Sequence, residues 1–425
     1  MSSATATAQV QHTMAGSKAG PMVCRFIVVI LLTVGVLAFG ATEPWSLLIM
    51  QVGSVVALLV WIAASWSRVR FEIDAALLLL ISFGVLVLAQ LVFHRSAYPY
   101  AGRQAMLQAA VPFVCFFLAK QLYSSEHSRA QFALWAQTFG GLLAIDAIVQ
   151  ALAGNGKIYW VRNTDVLSFF GPYANHNHYA GLMEMLFPFA IVSAVLESGE
   201  RGKRFLYGFV SALMLASVFL SRSRSGILIV LFELFLVSAI AVIKAHHKLR
   251  IGNVLLAACA VALAAWIGGD AAFTRLSSLR HLPTDAGAVN RWQIAHDSLQ
   301  LIRERPMLGW GFGTFSTVYP GVSTVATDSI INAAHDDYLQ LLVETGITGL
   351  LLMVAFLFVV CRQGLRKIRA SYDPAIAAAL LGCAGLLLHS FTDFNLQIPA
   401  NAAIFFALCG LICASTKSSR RALNL

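Results

Sequence analysis

Charge is what this sequence has least of. Lys, Arg, Asp and Glu make up 12% of its 425 residues while 58% are hydrophobic, against roughly 25% charged residues in soluble domains. That balance excludes a water-soluble globular chain and describes an integral membrane protein. Long polar stretches are equally scarce, and the one of real length covers about 269–337. The seven cysteines (Cys24, Cys115, Cys259, Cys361, Cys383, Cys409 and Cys413) all lie in or at the ends of apolar runs. No disulfide framework is therefore expected, and no Cys/His spacing reads as zinc. Acids are fewer than bases, 20 against 30. The resulting net charge of +10 would suggest nucleic acid in a soluble chain, but in a membrane chain it marks cytoplasmic loops, so no nucleic-acid partner is expected.

What is present is a series of apolar runs of about 17 to 24 residues, the length a helix needs to cross roughly 30 Å of hydrocarbon. Barrel strands would be about half as long, which excludes a barrel. Twelve runs stand out, at about 24–40, 45–65, 75–93, 104–122, 130–153, 178–196, 205–221, 225–244, 251–268, 338–361, 374–392 and 400–416. The expected fold is all-α and polytopic, with about 12 transmembrane helices and one large outer loop containing short amphipathic helices. Its layout is a tail over 1–23, nine spans over 24–268, the loop over 269–337, three spans over 338–416 and a tail over 417–425. A cleaved signal ending near Ala41 is the other reading of the first run, disfavoured by Arg25 at its start and the eleven runs behind it.

Charge sets the orientation. With the N-terminus cytoplasmic, most of the thirty basic residues fall inside, densest in "ESGERGKR", "KAHHKLR" and "RQGLRKIRA", as the positive-inside rule requires. Both termini are then cytoplasmic. The exceptions gather on the outer face: Lys157 and Arg162; Arg222 and Arg224; and Arg275, Arg280, Arg291, Arg303 and Arg305.

Some of these exceptions sit in an expensive place. "FLSRSRSGILIV" puts Arg222 and Arg224 in a turn too short to hold them far from hydrocarbon, where each charge costs about 2.5 kcal/mol or more at depth. One reading has them snorkel to lipid phosphates. The other makes them a site for an anionic ligand, because guanidinium presents a rigid fork of donors to phosphate oxygens. In the long loop, Trp292, Ile294, Ala295, Leu299 and Ile302 recur at helical spacing until Pro306, Gly309, Gly311 and Gly313 end the pattern. An amphipathic helix on the outer interface is expected there. "GWGFG" has no strand before it or helix after it, so it is not read as a nucleotide loop.

Two polar clusters open apolar runs on the same face. "INAAHDDYLQLLVETG" sets His335, Asp336 and Asp337 ahead of the tenth run, and "FFGPYANHNHYAGLMEM" sets Asn175, His176, Asn177 and His178 ahead of the sixth. For His335 alone the plain reading is a solvated neighbour of a capping aspartate. The outer arginines and the second cluster favour a site instead. Asparagine is a poor zinc ligand and the spacing matches no standard site, so no metal is expected. Asp146, Glu184 and Glu233 are intramembrane acids without an assigned role.

Over about Phe169 to Pro399 the chain resembles the O-antigen ligase and polymerase family, membrane enzymes that transfer undecaprenyl-diphosphate-linked glycans on the periplasmic face. "ANHNHYAG", "SRSRSG", "RWQIAHDSLQLIRERPMLGWGFGTF" and "AHDDYLQLLVETGITGLLL" carry the likeness, with "HSFTDFNLQIP" from His389 as a weaker fifth piece. The resemblance implies catalytic roles for Arg224, Arg291 and His335, with Arg222 the close alternative to Arg224. Substrate contacts are expected from Arg222, Arg280, Asn175, Asn177, His178, Asp336 and Tyr338. Asp336 stands where the commoner motif has asparagine. Spans one to five match only in hydrophobicity.

The chemistry this implies is a metal-independent, inverting glycosyl transfer without a cofactor, in the bacterial inner membrane. Negative charge grows on the departing diphosphate, which Arg224 and Arg291 would stabilise, and a sugar hydroxyl attacks with His335 as base. The acceptor is lipid A-core for a ligase or a growing polysaccharide for a polymerase, and the sequence leans only slightly to the ligase. A twelve-helix transporter, a scaffold without chemistry and a glycan polymerase of another type remain as alternatives. Against the transporter, no two halves repeat and the polar cluster lies at the outer boundary rather than the midplane.

Overall fold

The computed structural model describes residues 2–65, 73–163, 168–195, 200–244, 247–280, 285–326 and 330–415. Parts of the expected inner segments, including the tail over 417–425, lie outside the described residues. The chain is an all-α polytopic membrane protein, with no strand among the described residues.

Each of the twelve apolar runs is a helix. They are α1 (Ser2–Leu37), α2 (Pro44–Ser65), α3 (Ala75–Val92), α4 (Pro99–Leu122), α5 (Glu126–Ala153), α6 (His176–Val195), α7 (Arg201–Ser221), α8 (Arg224–Lys244) and α9 (His247–Ser277). Then follow α10 (Ala286–Glu304) and the short α11 (Phe315–Val318) in the loop, and α12 (Asp337–Ala370), α13 (Pro374–His389) and α14 (Pro399–Cys413). Ten of these are long and apolar enough to cross a membrane. At 16 and 15 residues α13 and α14 are shorter, about 24 and 22 Å of helix against a 30 Å core.

The shortfall has a cause in the sequence. The apolar run 374–392 ends as helix at His389, and Ser390 to Ile398 turn back as a polar hairpin before Pro399 starts α14. Burial makes the short spans tolerable: every residue of α14 is buried, and α14 packs along α4. Helix α6 is also wholly inside the bundle, between α7 and α13. Backbone groups shielded by protein do not need to reach the full hydrocarbon thickness.

Local chemistry fixes the helix starts. Asp74, Asp285, Asp336 and Asp373 each cap the helix that follows, accepting from Leu77, Ala288, Leu339, and Ala375 with Ile376. At one end of the bundle Lys120 pairs with Asp74 and Arg129 with Asp373, both at 2.7 Å. These pairs tie α3, α4, α5 and α13 together there. The opposite end is where α6, α8, α10 and α12 begin and α13 finishes.

The loop departs from expectation at its start. Helix α9 continues nine residues past the apolar run, through Asp270 to Ser277, so the first part of the 269–337 segment is helical. The expected amphipathic helix is α10, with Ile294 and Leu301 buried against Phe315 and Tyr319 while Trp292 and Leu299 are exposed. The glycine-rich stretch serves α12. Trp310 and Gly311 donate to the carbonyls of Val343 and Glu344, and Ile347 and Thr348 donate to those of Pro306 and Met307. Helix α12 kinks there, at Gly346 with φ 63°. A Cβ on Gly309 would stand 2.5 Å from the Glu344 backbone, and one on Gly346 would stand 2.4 Å from that of Met307. Buried Glu344 completes the clasp by accepting from the backbone N–H of Gly313 and Phe315.

Candidate functional site

The hairpin between α13 and α14 carries Asp393, whose side chain is fully buried. A buried carboxylate is costly unless donors surround it, and four segments supply them. Phe394 donates its own N–H to Oδ1 at 2.9 Å. From the start of α6, Asn177 Nδ2 donates to Oδ2 at 2.5 Å and His178 Nε2 lies 3.7 Å from Oδ1. From α10, an Arg291 Nη lies 3.5 Å from Oδ2, and its other Nη donates to the Thr392 carbonyl at 3.0 Å. From the approach to α12, His335 Nδ1 lies 3.5 Å from Oδ1. Burial pushes the Asp393 carboxyl up, but the two imidazoles and the Arg291 charge outweigh it and hold the group well below the usual carboxylate range.

His335 is placed by its neighbours in the chain. Asp336 caps α12, and Asp337 is buried with Oδ2 accepting from Ser390 Oγ and the Leu396 N–H. Burial raises the Asp336 carboxyl above its ordinary value. His335 itself adopts a left-handed φ of 54°, a strained region for a side chain other than glycine. Its ring meets the edge of Phe394 at 4.9 Å, and the His178 ring meets the same phenyl at 4.7 Å. Nδ1 is enclosed while 28% of the His335 side chain is exposed. The enclosed nitrogen faces the carboxylate without a hydrogen bond to a described residue, and a proton on Nδ1 would suit that contact.

The arginines adjoin this centre. Arg224 is the first residue of α8; its guanidinium donates to Ser278 Oγ at 2.8 and 3.1 Å and to Asp285 Oδ2 at 2.6 Å. Asp285 thus joins Arg224 to the helix that bears Arg291, and the arginine holds the Asp285 carboxyl below its usual value. Arg222 is exposed in a left-handed turn, and its carbonyl accepts from Arg275 Nε at 3.1 Å. Arg275 interacts electrostatically with Arg222, Arg224, Arg291 and Asp285. Ser225 Oγ and Thr392 Oγ1 lie 2.8 Å apart, joining the arginine turn to the Asp393 hairpin. Arg275 thus has three other guanidiniums within electrostatic reach, and clustered cations attract anions.

Other expected residues stand differently. Asn175 accepts from the Asn177 N–H and so caps α6. The Tyr338 hydroxyl donates to the Leu387 carbonyl, with its ring against Phe391. Arg280 is exposed at the end of the α9 segment and has no hydrogen bond or ion pair among the described residues. Two other cations expected on the outer face are absorbed locally, as Arg162 pairs with Glu43 and Arg305 lies 4.0 Å over the Trp310 ring. Deeper in the bundle, Glu184 Oε1 lies 2.8 Å from His389 Nδ1, and Asp146 accepts from Gln150. No group of three or more His, Cys, Asp or Glu suited to a metal occurs among the described residues.

Asp393 is the functional candidate that sequence reasoning missed. It lies in "HSFTDFNLQIP", the weaker fifth piece of the family resemblance, where His389, Thr392, Asp393 and Asn395 break an apolar run.

Residues 209–354 match the family model described as O-Antigen ligase. The matched stretch contains Arg224, Arg291 and His335 but not the Asn177–His178 or Asp393 segments. No curated protein matches the chain.

Proposed function

From the match of residues 209–354 to the O-Antigen ligase family model, we propose that this protein is an inner-membrane glycosyltransferase that joins an undecaprenyl-diphosphate-linked glycan to a sugar hydroxyl on the periplasmic face. The observation that carries the reading is that one buried carboxylate, Asp393, faces both an imidazole and a guanidinium, His335 and Arg291, each at 3.5 Å. A base for the nucleophile and a cation for the leaving group then share one fixed support.

In this reading the donor diphosphate lies among Arg224, Arg291 and Arg275, with Arg222 at the rim. His335 Nε2 takes the proton of the acceptor hydroxyl while the acceptor oxygen bonds to the anomeric carbon. The bond from that carbon to the phosphate oxygen breaks, and undecaprenyl diphosphate leaves with its electron pair. Attack from the face opposite the diphosphate inverts the anomeric centre. Asp393 does not take the proton; it orients the ring and stabilises the imidazolium. Guanidinium charges do the work that a divalent ion does at other departing diphosphates, so the transfer is metal-independent.

Lipid A-core is the proposed acceptor and ligation into lipopolysaccharide the proposed role. Polymerisation of repeat units from the same donor is the second reading, because the family covers both reactions. The test is protein in liposomes given the labelled lipid-linked donor and lipid A-core. Label appearing on lipid A-core supports ligation, label appearing in longer lipid-linked chains supports polymerisation, and no transfer to either counts against a transferase.

A further inference from the structure

The proposed chemistry leaves one polar pair in the bundle core without a part. Glu184 on α6 and His389 at the end of α13 are 0% and 1% exposed, and Glu184 Oε1 lies 2.8 Å from His389 Nδ1. Ionisable groups within a span are expensive to keep and mark function more often than packing. Glu184 Oε2 and His389 Nε2 have no hydrogen-bond partner among the described residues. The pair therefore joins two helices and does not continue into a longer chain of side chains.

Both residues are rooted in the support of Asp393. Asn177, Gly181 and Glu184 recur at i, i+4 and i+7 and so share one face of α6. Asn177 donates to Asp393 Oδ2, and a Cβ on Gly181 would stand 2.4 Å from Asn395 Oδ1, so this face lies directly against the hairpin. On the other helix the His389 carbonyl accepts from the N–H groups of Thr392 at 2.8 Å and Asp393 at 3.1 Å. His389 is thus the base of the turn that bears the carboxylate. Glu184 lies about 10 Å along α6 from Asn177 at the helical rise, and the two contacts fix α6 against α13 and its hairpin at two levels.

We propose that Glu184 and His389 are positioning residues for the transfer: their hydrogen bond locks α6 to the end of α13 and so holds the Asp393 carboxylate at the separation that His335 and Arg291 require. This rests on the transferase reading above. A hydrogen bond in a low-dielectric interior is stronger than in water, and a displacement of about 1 Å arising far from the reacting atoms can cost about 100-fold in rate. The strut needs an acceptor at Glu184 but not a carboxylate, since no proton has to move through it.

The experiment follows full-length protein in liposomes with labelled lipid-linked donor and lipid A-core. Glu184→Ala should lower kcat by about 10- to 100-fold, with donor affinity changed by less than about twofold because the arginines are untouched. Glu184→Gln keeps an oxygen that accepts from His389 Nδ1 and should bring kcat back to within about threefold of unmodified protein. Added to Asp393→Asn, Glu184→Ala should cost less than about twofold more, since both changes act through the same carboxylate. Losses that multiply would overturn the proposal. So would a Glu184→Gln variant as slow as Glu184→Ala, which would make the pair a proton path instead. Hydrogen exchange in detergent gives a second readout without catalysis: Glu184→Ala should speed exchange of the amides of 391–398 by about 10-fold or more while α2 to α5 exchange as before. Unchanged exchange in the hairpin, or acceleration through the whole bundle, would also overturn it. If unmodified protein transfers neither to lipid A-core nor into longer chains, the transferase reading fails, and exchange alone judges the strut.

Discussion

His335 Nδ1 faces the Asp393 carboxylate at 3.5 Å, although α12 and α13 separate the two residues in the chain. Replacing the carboxylate with an amide of the same size removes the negative charge that orients the ring and stabilises the imidazolium. Asp393→Asn should therefore lower transfer by about 100-fold or more while donor binding persists. Single-turnover transfer and donor titration on the same preparation measure both.

The same carboxyl predicts how stability depends on acid. Because its folded value is depressed, its contribution is present above the unfolded value of about 3.9 and is lost only as pH falls through the lower folded value. The difference in Tm between unmodified protein and Asp393→Asn in detergent should thus not shrink as pH falls from 7 to 5. A difference that shrinks over that range would mean that Asp393 titrates there.

Arg224 and Arg291 should not tolerate lysine. An ammonium keeps the charge but loses the fork, and with it at least one charge-assisted bond to the diphosphate. Each lysine variant should lose roughly 10- to 100-fold in transfer at normal membrane abundance. Full activity in both would assign these side chains to lipid headgroups.

The clasp between the loop and α12 predicts a stability effect away from the chemistry. Gly346→Ala places a Cβ against the Met307 backbone at a positive φ, so it should cost about 1–3 kcal/mol. Thermal unfolding in detergent would register this as a lower Tm, and an unchanged Tm would contradict the clasp.

Orientation is testable by fusion. A reporter active only outside the cytoplasm should be active when joined after Glu304 and silent after Ala370. The reverse pattern would put the arginine cluster on the cytoplasmic face.

The helices were legible because twenty-odd apolar residues in sequence have few other uses. Arg224, Arg291 and His335 could be picked out as candidates, since charge against the orientation rule and a polar cluster before an apolar run are both local signals. Asp393 was not. Its meaning comes from Asn177, His178, Arg291 and His335, none near it in sequence, and locally it reads as the polar end of a run. The partners of "GWGFG" were hidden for a related reason: they are main-chain groups of Val343 to Thr348, which no side-chain pattern reveals. Asn175 and Asp336, expected as ligand contacts, each also use a side-chain oxygen to cap α6 and α12, a demand every buried helix start makes.

The most direct test of the account is transfer by His335→Ala in liposomes, with donor binding followed in the same protein and with imidazole added to the buffer. The account predicts a fall of about 10²- to 10⁴-fold, donor affinity close to that of unmodified protein, and partial recovery with imidazole. Transfer at the unmodified rate would contradict it.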